Sequence, residues 1–264
     1  MKKITLKKSD KVIVKIGTNI LTTPEGKLDL NNLRALVAQI CDSILAKQCQ
    51  FIIVTSGSII CGSERLSITA KTIPEKQAAA SVGQILLMQE YARFFENQGL
   101  EVGQILLTKD CITDSTKRAN VKNTITTLLK QTVTPIINEN DSVATDEMDM
   151  RFGDNDELSC TVAKLTNAKL LILLTDTDGL HTCNPKTHKQ DAKLIPSLTH
   201  ISDDIMQCVE DVESHRSQGG MASKLRAAKE ASQAGIDVVI ANGRRANVIK
   251  DILLDKAVGT KISA

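Results

Sequence analysis

Six short apolar runs, rich in β-branched residues, recur along the chain: KVIVKI at 11–16, FIIVTS at 51–56, VGQILLT at 102–108, VTPIIN at 133–138, KLLILLT at 169–175 and IDVVIA at 236–241. They are nearly continuously hydrophobic, and a strand of that kind must be covered on both faces, as in a parallel sheet. Between them the apolar period changes. Leu33, Leu36, Val37, Ile40 and Ile44 fall three and four residues apart, and Pro74 suits the first turn of another helix, where a missing N–H costs little. Strand–helix–strand order throughout predicts an α/β protein: an open, mostly parallel sheet with helices on both faces, a three-layer αβα sandwich.

Open α/β sheets of about this size commonly share one continuous core, so the 264 residues are expected to form one domain spanning 1–264. No linker, internal repeat or low-complexity tract divides it. The segments SERLSITAKTIP (63–74) and HTCNPKTHKQ (181–190) read as loops. A net charge of +2, with 24% charged residues, gives no reason to expect a polyanion, so nucleic acid is not an expected partner. Lys2, Lys3, Lys7, Lys8 and Lys11 crowd the start, but the apolar VIVKI that follows is too short for a signal segment. They read as a solvated terminus. No apolar stretch approaches the roughly 20 residues that span a bilayer, so no membrane partner is expected. The seven cysteines, Cys41, Cys49, Cys61, Cys111, Cys160, Cys183 and Cys208, contain no C-x-x-C pair. That pattern writes neither a disulfide framework nor a zinc site and fits a reducing cytoplasm. Tryptophan is absent and Tyr91 is the one tyrosine. Recognition must therefore use backbone amides and charges more than stacking.

Several motifs stand at strand ends, where open α/β sheets bind their ligands. In KIGTN (15–19) a lysine ends the first strand and a glycine follows; Lys15 either points into the cleft or snorkels from the strand end. VTSGS (54–58) ends the second strand, and amides near Ser56, Gly57 and Ser58 can face an anion at the helix that follows. LLTDTDGL (173–180) places Thr175, Asp176 and Asp178 where they can hold a ribose or base, or simply form a turn. In SQGGMASKLRAAKEA (217–231) a double glycine precedes a helix whose first turn carries Lys224. A cation there opposes the helix dipole, which points to a phosphate for it to meet.

Residues 137–159, INENDSVATDEMDMRFGDNDELS, concentrate Glu139, Asp141, Asp146, Glu147, Asp149, Asp154, Asp156 and Glu157 with three asparagines against one arginine, Arg151. Such a stretch can be a hard-metal cage, a pocket for a substrate ammonium or a solvated loop. A pure cage is the least fitting, because Mg²⁺ keeps waters and borrows phosphate oxygens instead of collecting many protein carboxylates.

The chain has no G-x-x-x-x-G-K-[ST] and no H-R-D or D-F-G set, which places phosphoryl transfer outside the two common nucleotide-binding designs. KIGTN, VTSGS, INEND, FGDND, LLTD and GGMASK, in that order from Val12 to about Thr260, resemble the amino acid kinase family. Within it the match is to the branch that acts on glutamate. The resemblance implies ATP-dependent phosphorylation of the γ-carboxylate of L-glutamate to L-glutamyl 5-phosphate, the first step of proline biosynthesis, in the cytoplasm. It implies Lys15 and Lys224 on the moving phosphate with Asp156 holding both; Ser56, Asp141 and Asn155 on the substrate; and Lys15, Thr175, Asp176 and the loop Gln218, Gly219, Gly220, Met221, Ala222, Ser223 and Lys224 on ATP. Mg²⁺ would be held mainly by phosphates and water, with no protein metal site. The lobes implied are a substrate half of about 1–165 and a nucleotide half of about 166–264, as a homo-oligomer. Ser217 and Gln218 depart from the Gly-Thr usual before the two glycines. A substrate carboxylate is already ionised at neutral pH, with a reference pKa near ~4.3. No general base is then needed, and His181, His188, His200 and His215, all in polar segments, read as surface residues. Asp146, Glu147 and Asp149 read as solvated loop charges.

The resemblance further implies feedback inhibition by proline and hand-over of the acyl phosphate to a glutamyl-phosphate reductase. Many relatives continue into a small C-terminal domain of an RNA-modifying-enzyme (PUA) type, whereas this chain stops at the strand-like GTKISA; activity and proline inhibition are expected without that domain. Two other readings stay open: a kinase of another small acid such as N-acetylglutamate, and a non-catalytic nucleotide-binding regulator on the same fold.

Overall fold

The computed structural model describes residues 3–144, 154–183, 191–202, 204–206 and 220–264. Its sheet has eight strands: β1 Lys11–Ile16, β2 Gln50–Val54, β3 Glu101–Leu107, β4 Val133–Glu139, β5 Leu170–Thr175, β6 Ser197–Leu198, β7 Asp237–Asn242 and β8 Thr260–Ile262. They lie in the order β3-β4-β2-β1-β5-β7-β8-β6, and every pairing is parallel except β7 with β8. The six apolar runs are the six long strands, each within one residue of its expected start. β6 is too short to show a period. Within the terminal GTKISA, Thr260–Ile262 are indeed strand; β8 runs antiparallel to β7, with Val238 opposite Ile262, and the short β6 pairs parallel to it, so these two run opposite to the other six.

β1 sits at the centre, with Lys15 paired to Val54 of β2 on one side and Leu173 of β5 on the other. The chain builds one half of the sheet outward from β2 and the other outward from β5, so the reversal of strand order opens a crevice at the carboxyl ends of β1, β2 and β5. Period-two alternation then sorts side chains by face. Val12, Val14 and Ile16 join one core layer, while Ile13 joins the other. Lys15 has the parity of Ile13. It therefore projects toward the layer that holds Leu158 and Val162 of one helix and Leu225 and Ala228 of another.

The helices are α1 Thr18–Leu21, α2 Leu30–Leu45, α3 Ser58–Leu66, α4 Ile73–Glu96, α5 Asp110–Thr113, α6 Ser115–Lys130, α7 Asn155–Thr166, α8 Met221–Gln233 and α9 Val248–Leu253. Their starts follow local chemistry. Asp29 caps α2 by accepting from the Asn32 amide, and Thr72 and Glu75 form a reciprocal capping box around Pro74 at the head of α4. Leu33, Leu36, Val37 and Ile40 face the core from α2 as their spacing predicts. The expected loop at 63–74 needs correction: Ser63–Leu66 complete α3, and non-helical backbone is confined to 67–72. The reason is tertiary. A Cβ at Gly62 would stand 1.7 Å from the Ala79 carbonyl oxygen, and one at Gly83 would stand 1.8 Å from that of Ser58. The glycines let α3 lie directly on α4, and this contact supports α3 to its end. Of the expected loop at 181–190, His181–Cys183 are irregular, with His181 bridged to Leu194, and 184–190 fall outside the described residues.

Candidate active site

Asp156, fully buried near the start of α7, is the centre of the cleft. Its Oδ1 lies 2.6 Å from the ammonium of Lys15 on β1, and its Oδ2 lies 3.1 Å from that of Lys224 on α8. Both lysines are buried as well. Desolvation lowers the pKa of Lys15, partly offset by Asp156; for Asp156 the burial penalty, which acts upward, is outweighed by the two lysines, and its carboxyl is held below the ordinary range. The two ammoniums converge on this one carboxylate, and the Asp154 carboxylate also acts on Lys15.

The head of α7 explains why Asp156 is so placed. Asp154 caps the helix, its Oδ1 accepting from the amides of Asp156 at 2.7 Å and Glu157 at 3.1 Å, while its other oxygen meets the Ser223 hydroxyl. That hydroxyl is also 3.2 Å from Asp156 Oδ2. D-N-D-E is thus a helix start, and an aspartate before a helix is a legible cap signal. The sequence reading did not assign Asp154 a role.

Asn155, between the two aspartates, turns the other way. Its Nδ2 donates to the Thr55 carbonyl at 2.8 Å, to Ser56 Oγ at 2.7 Å and to Asn138 Oδ1 at 3.1 Å. Asp141 accepts from Ser58 Oγ at 2.9 Å, at the head of α3. Ser56, Asn155 and Asp141 therefore gather at the carboxyl ends of β2 and β4, and Asn138 joins them unforeseen. Asp146, Glu147 and Asp149 lie outside the described residues.

On the opposite side, Thr175 ends β5 and Asp176 follows, with Thr175 Oγ1 3.4 Å from Asp176 Oδ1. α8 starts at Gly220, which has no side-chain cap, and Met221, Ala222, Ser223 and Lys224 form its first turn with no acid among them. Gln218 and Gly219 lie outside the described residues. Asp178 is exposed on the loop and accepts from Asn242 Nδ2 at 3.0 Å, so its place is in the turn. His181 and His200 stand in loops, with His181 Nδ1 3.0 Å from the Gly179 carbonyl, and His188 and His215 lie outside the described residues.

Sequence reasoning also missed Arg244, in the turn after β7. Its guanidinium meets Asp29 Oδ2 at 2.9 Å and the carbonyls of Asn19 at 2.9 Å and Thr22 at 2.5 Å. It clamps the segment that follows Lys15 to the segment that follows β7.

Phosphate groups fit this frame. A Cβ at Gly17 would stand 3.2 Å from the Lys15 ammonium, so the glycine leaves that charge open to the cleft. The first turn of α8 offers a positive dipole end and a lysine. No group of three or more His, Cys, Asp or Glu side chains suited to a metal ion occurs among the described residues, and a divalent ion here would draw on Asp154 and on phosphate oxygens.

Comparison with known proteins places the chain in a family. The model of the amino acid kinase family matches residues 10–242. A glutamate 5-kinase of Moorella thermoacetica is 44% identical over 98% of this chain and 68% of its own length; one of Clostridium tetani is 42% identical over 98% of this chain and 96% of its own. Among solved structures an isopentenyl phosphate kinase superposes with a TM-score of 0.67 over 96% of this chain and all of its own, at 18% identity. Those coordinates share the fold. No described helix is long and apolar enough to cross a membrane.

Proposed function

The chain belongs to the amino acid kinase family, and we propose that it phosphorylates the γ-carboxylate of L-glutamate with ATP, forming L-glutamyl 5-phosphate in proline biosynthesis. The observation that carries the reading is the meeting of Lys15 and Lys224 on one buried carboxylate, Asp156, beside a pocket that offers Asp141 and Asn155.

Phosphoryl transfer asks a protein mainly for position and charge. When bound, ATP with Mg²⁺ supplies the γ-phosphoryl group and a cation on its oxygens. Lys15 neutralises the phosphoryl group from the substrate side and Lys224 from the nucleotide side. Asp156 keeps the two ammoniums from repelling each other apart and sets their spacing. Asp154 fixes the head of α7, and its carboxylate is the group that would help hold a magnesium ion, whose charge would offset that of the phosphates. Thr175, Asp176 and the run from Gln218 to Lys224 hold the nucleotide. On the other side Asp141 takes the α-ammonium, and Ser56 and Asn155 orient the substrate. In this division residues 1–165 chiefly hold glutamate and 166–264 chiefly hold ATP. The attacking γ-carboxylate is already ionised, so no side chain has to remove a proton.

Proline carries a carboxylate and a cationic amine and so competes for the Asp141 pocket, and the reactive acyl phosphate calls for a reductase as its next acceptor. The same reading includes a homo-oligomer. A coupled ADP-release assay with glutamate, aspartate, N-acetylglutamate and UMP side by side tests the assignment. Glutamate should be the substrate that turns over; activity with UMP alone, with N-acetylglutamate in preference, or with none would sink it.

A further inference from the structure

Three carboxamides, Asn155, Asn138 and Gln84, stand in series, and their polarity is set at one end. Asn155 faces the Thr55 carbonyl oxygen at 2.8 Å. A carbonyl can only accept, so the atom facing it is the amide nitrogen. That nitrogen also lies 3.1 Å from Asn138, which must therefore present its oxygen to Asn155 and direct its own nitrogen away. The Asn138 nitrogen donates to Gln84 Oε1 at 2.8 Å. One backbone carbonyl thus decides the orientation of all three groups.

Two atoms remain over, one at each end. Asn155 Oδ1, an acceptor, and Gln84 Nε2, a donor, are both shielded from solvent and without a hydrogen-bond partner among the described residues. Gln84 is only 8% exposed. Leaving a buried polar group unpaired costs about 1–3 kcal/mol. A series with a spare acceptor at one end and a spare donor at the other suits a ligand that carries both complements. The position agrees. Gly83, beside Gln84 on α4, packs against the Ser58 carbonyl, Ser58 binds Asp141, and Ser81 of the same helix meets the Ser142 hydroxyl at 2.9 Å. The Gln84 end of the series therefore borders the Asp141 loop, and the Asn155 end borders Ser56.

Building on the glutamate reading, we propose that Gln84 is a substrate-binding residue whose Nε2 donates to the α-carboxylate of glutamate, while Asn155 Oδ1 accepts from the α-ammonium. Asn138 is the positioning residue that fixes both. The series recognises the zwitterion as a unit, and an acceptor without an α-carboxylate leaves the Gln84 donor unpaired.

Steady-state kinetics on the intact chain test this with Gln84→Met and Gln84→Glu. The methionine removes the donor, and KM for glutamate should rise about tenfold or more, with kcat and KM for ATP moving less than about twofold. The glutamate variant keeps an oxygen for Asn138 and replaces only the donor, so at alkaline pH it should raise KM for glutamate further by repulsion. If Gln84→Met is not recovered folded, Gln84→Glu decides alone. A folded variant with KM for glutamate within about twofold of the parent, with or without a lower Tm, would overturn the proposal and leave Gln84 a packing residue. The unsubstituted chain serves as the control: no glutamate-dependent ADP release from it would sink the glutamate reading itself, whereas an active parent with indifferent variants would sink the role of Gln84 alone.

Discussion

The two sides of the cleft bury polar atoms by opposite means. Around Asp156 the groups are charged, and each ion is tolerated inside only because the others are there. Around Asn155 most of the groups are neutral carboxamides whose directions descend from one backbone carbonyl, and the one charge beside them is the Asp141 carboxylate. Mobile negative charge has to be met by charge, so the phosphate side carries lysines and accepts the cost of burying them. The α-ammonium and α-carboxylate of the substrate keep their charges throughout the reaction, so they can be oriented largely by amide dipoles, which do not titrate, with Asp141 as the one counter-ion. The charged side should therefore govern turnover and its pH dependence, and the amide side should govern affinity.

The strongest way to break that division is Asp156→Ala. Two buried ammoniums would lose their common partner, so turnover should fall by more than ~10³ and the fold should lose about 3–5 kcal/mol, read by steady-state kinetics and urea unfolding. Unchanged unfolding would mean that the lysines do not depend on the carboxylate. Lys224→Ala should lower kcat on the order of 10³, or roughly 4 kcal/mol, with KM for glutamate nearly constant; near-normal turnover would remove Lys224 from the chemistry. Asp141→Ala should do the reverse, raising KM for glutamate by about 10-fold to 100-fold with kcat largely kept, because a bound ammonium loses a charged partner. Proline inhibition should weaken in the same variant, since one carboxylate serves both amines. An unchanged KM would move the ammonium site elsewhere.

The smallest effect sharpens the comparison through pH. Burial lowers the pKa of Lys15, so on raising pH this ammonium is lost before an ordinary lysine with its value near ~10.4. Profiles of kcat/KM for ATP should show an alkaline limb below that value. Over the same interval the unfolded chain binds more protons at this residue than the folded one, so Lys15 by itself makes stability rise with pH. Falling activity without unfolding is the expected signature. Lys15→Arg, always charged, should retain some activity and shift the limb upward; an unmoved limb would assign it to another group.

How much of this was legible depended on the distance over which each feature is determined. Lys15, Thr175 and Lys224 could be found because a strand end, a polar turn and a misplaced cation at a helix start are local signals. Ser56 and Asp141 followed from motifs whose order matched a family. Asn138 was visible only as part of INEND, and Gln84 not at all, since inside α4 it looks like any polar helix residue. Arg244 was equally silent, because two arginines after a strand ordinarily read as solvated.

The sequence by itself determined the parallel αβα sheet, because continuous apolar runs admit few folds, and the resemblance of its motifs to a family pointed to Lys15, Lys224 and Asp156 as the ions at its centre. Only the tertiary structure decided how those ions meet and which atoms remained unpaired. Lys15 reaches Asp156 because alternation along β1 turns its side chain toward the layer of α7, which carries Asp156, and α8. Asn155 finds Thr55 across 100 residues and Asn138 finds Gln84 across 54. A hydrogen bond between groups so far apart in the chain depends on packing to within a fraction of an ångström, and no local pattern encodes that.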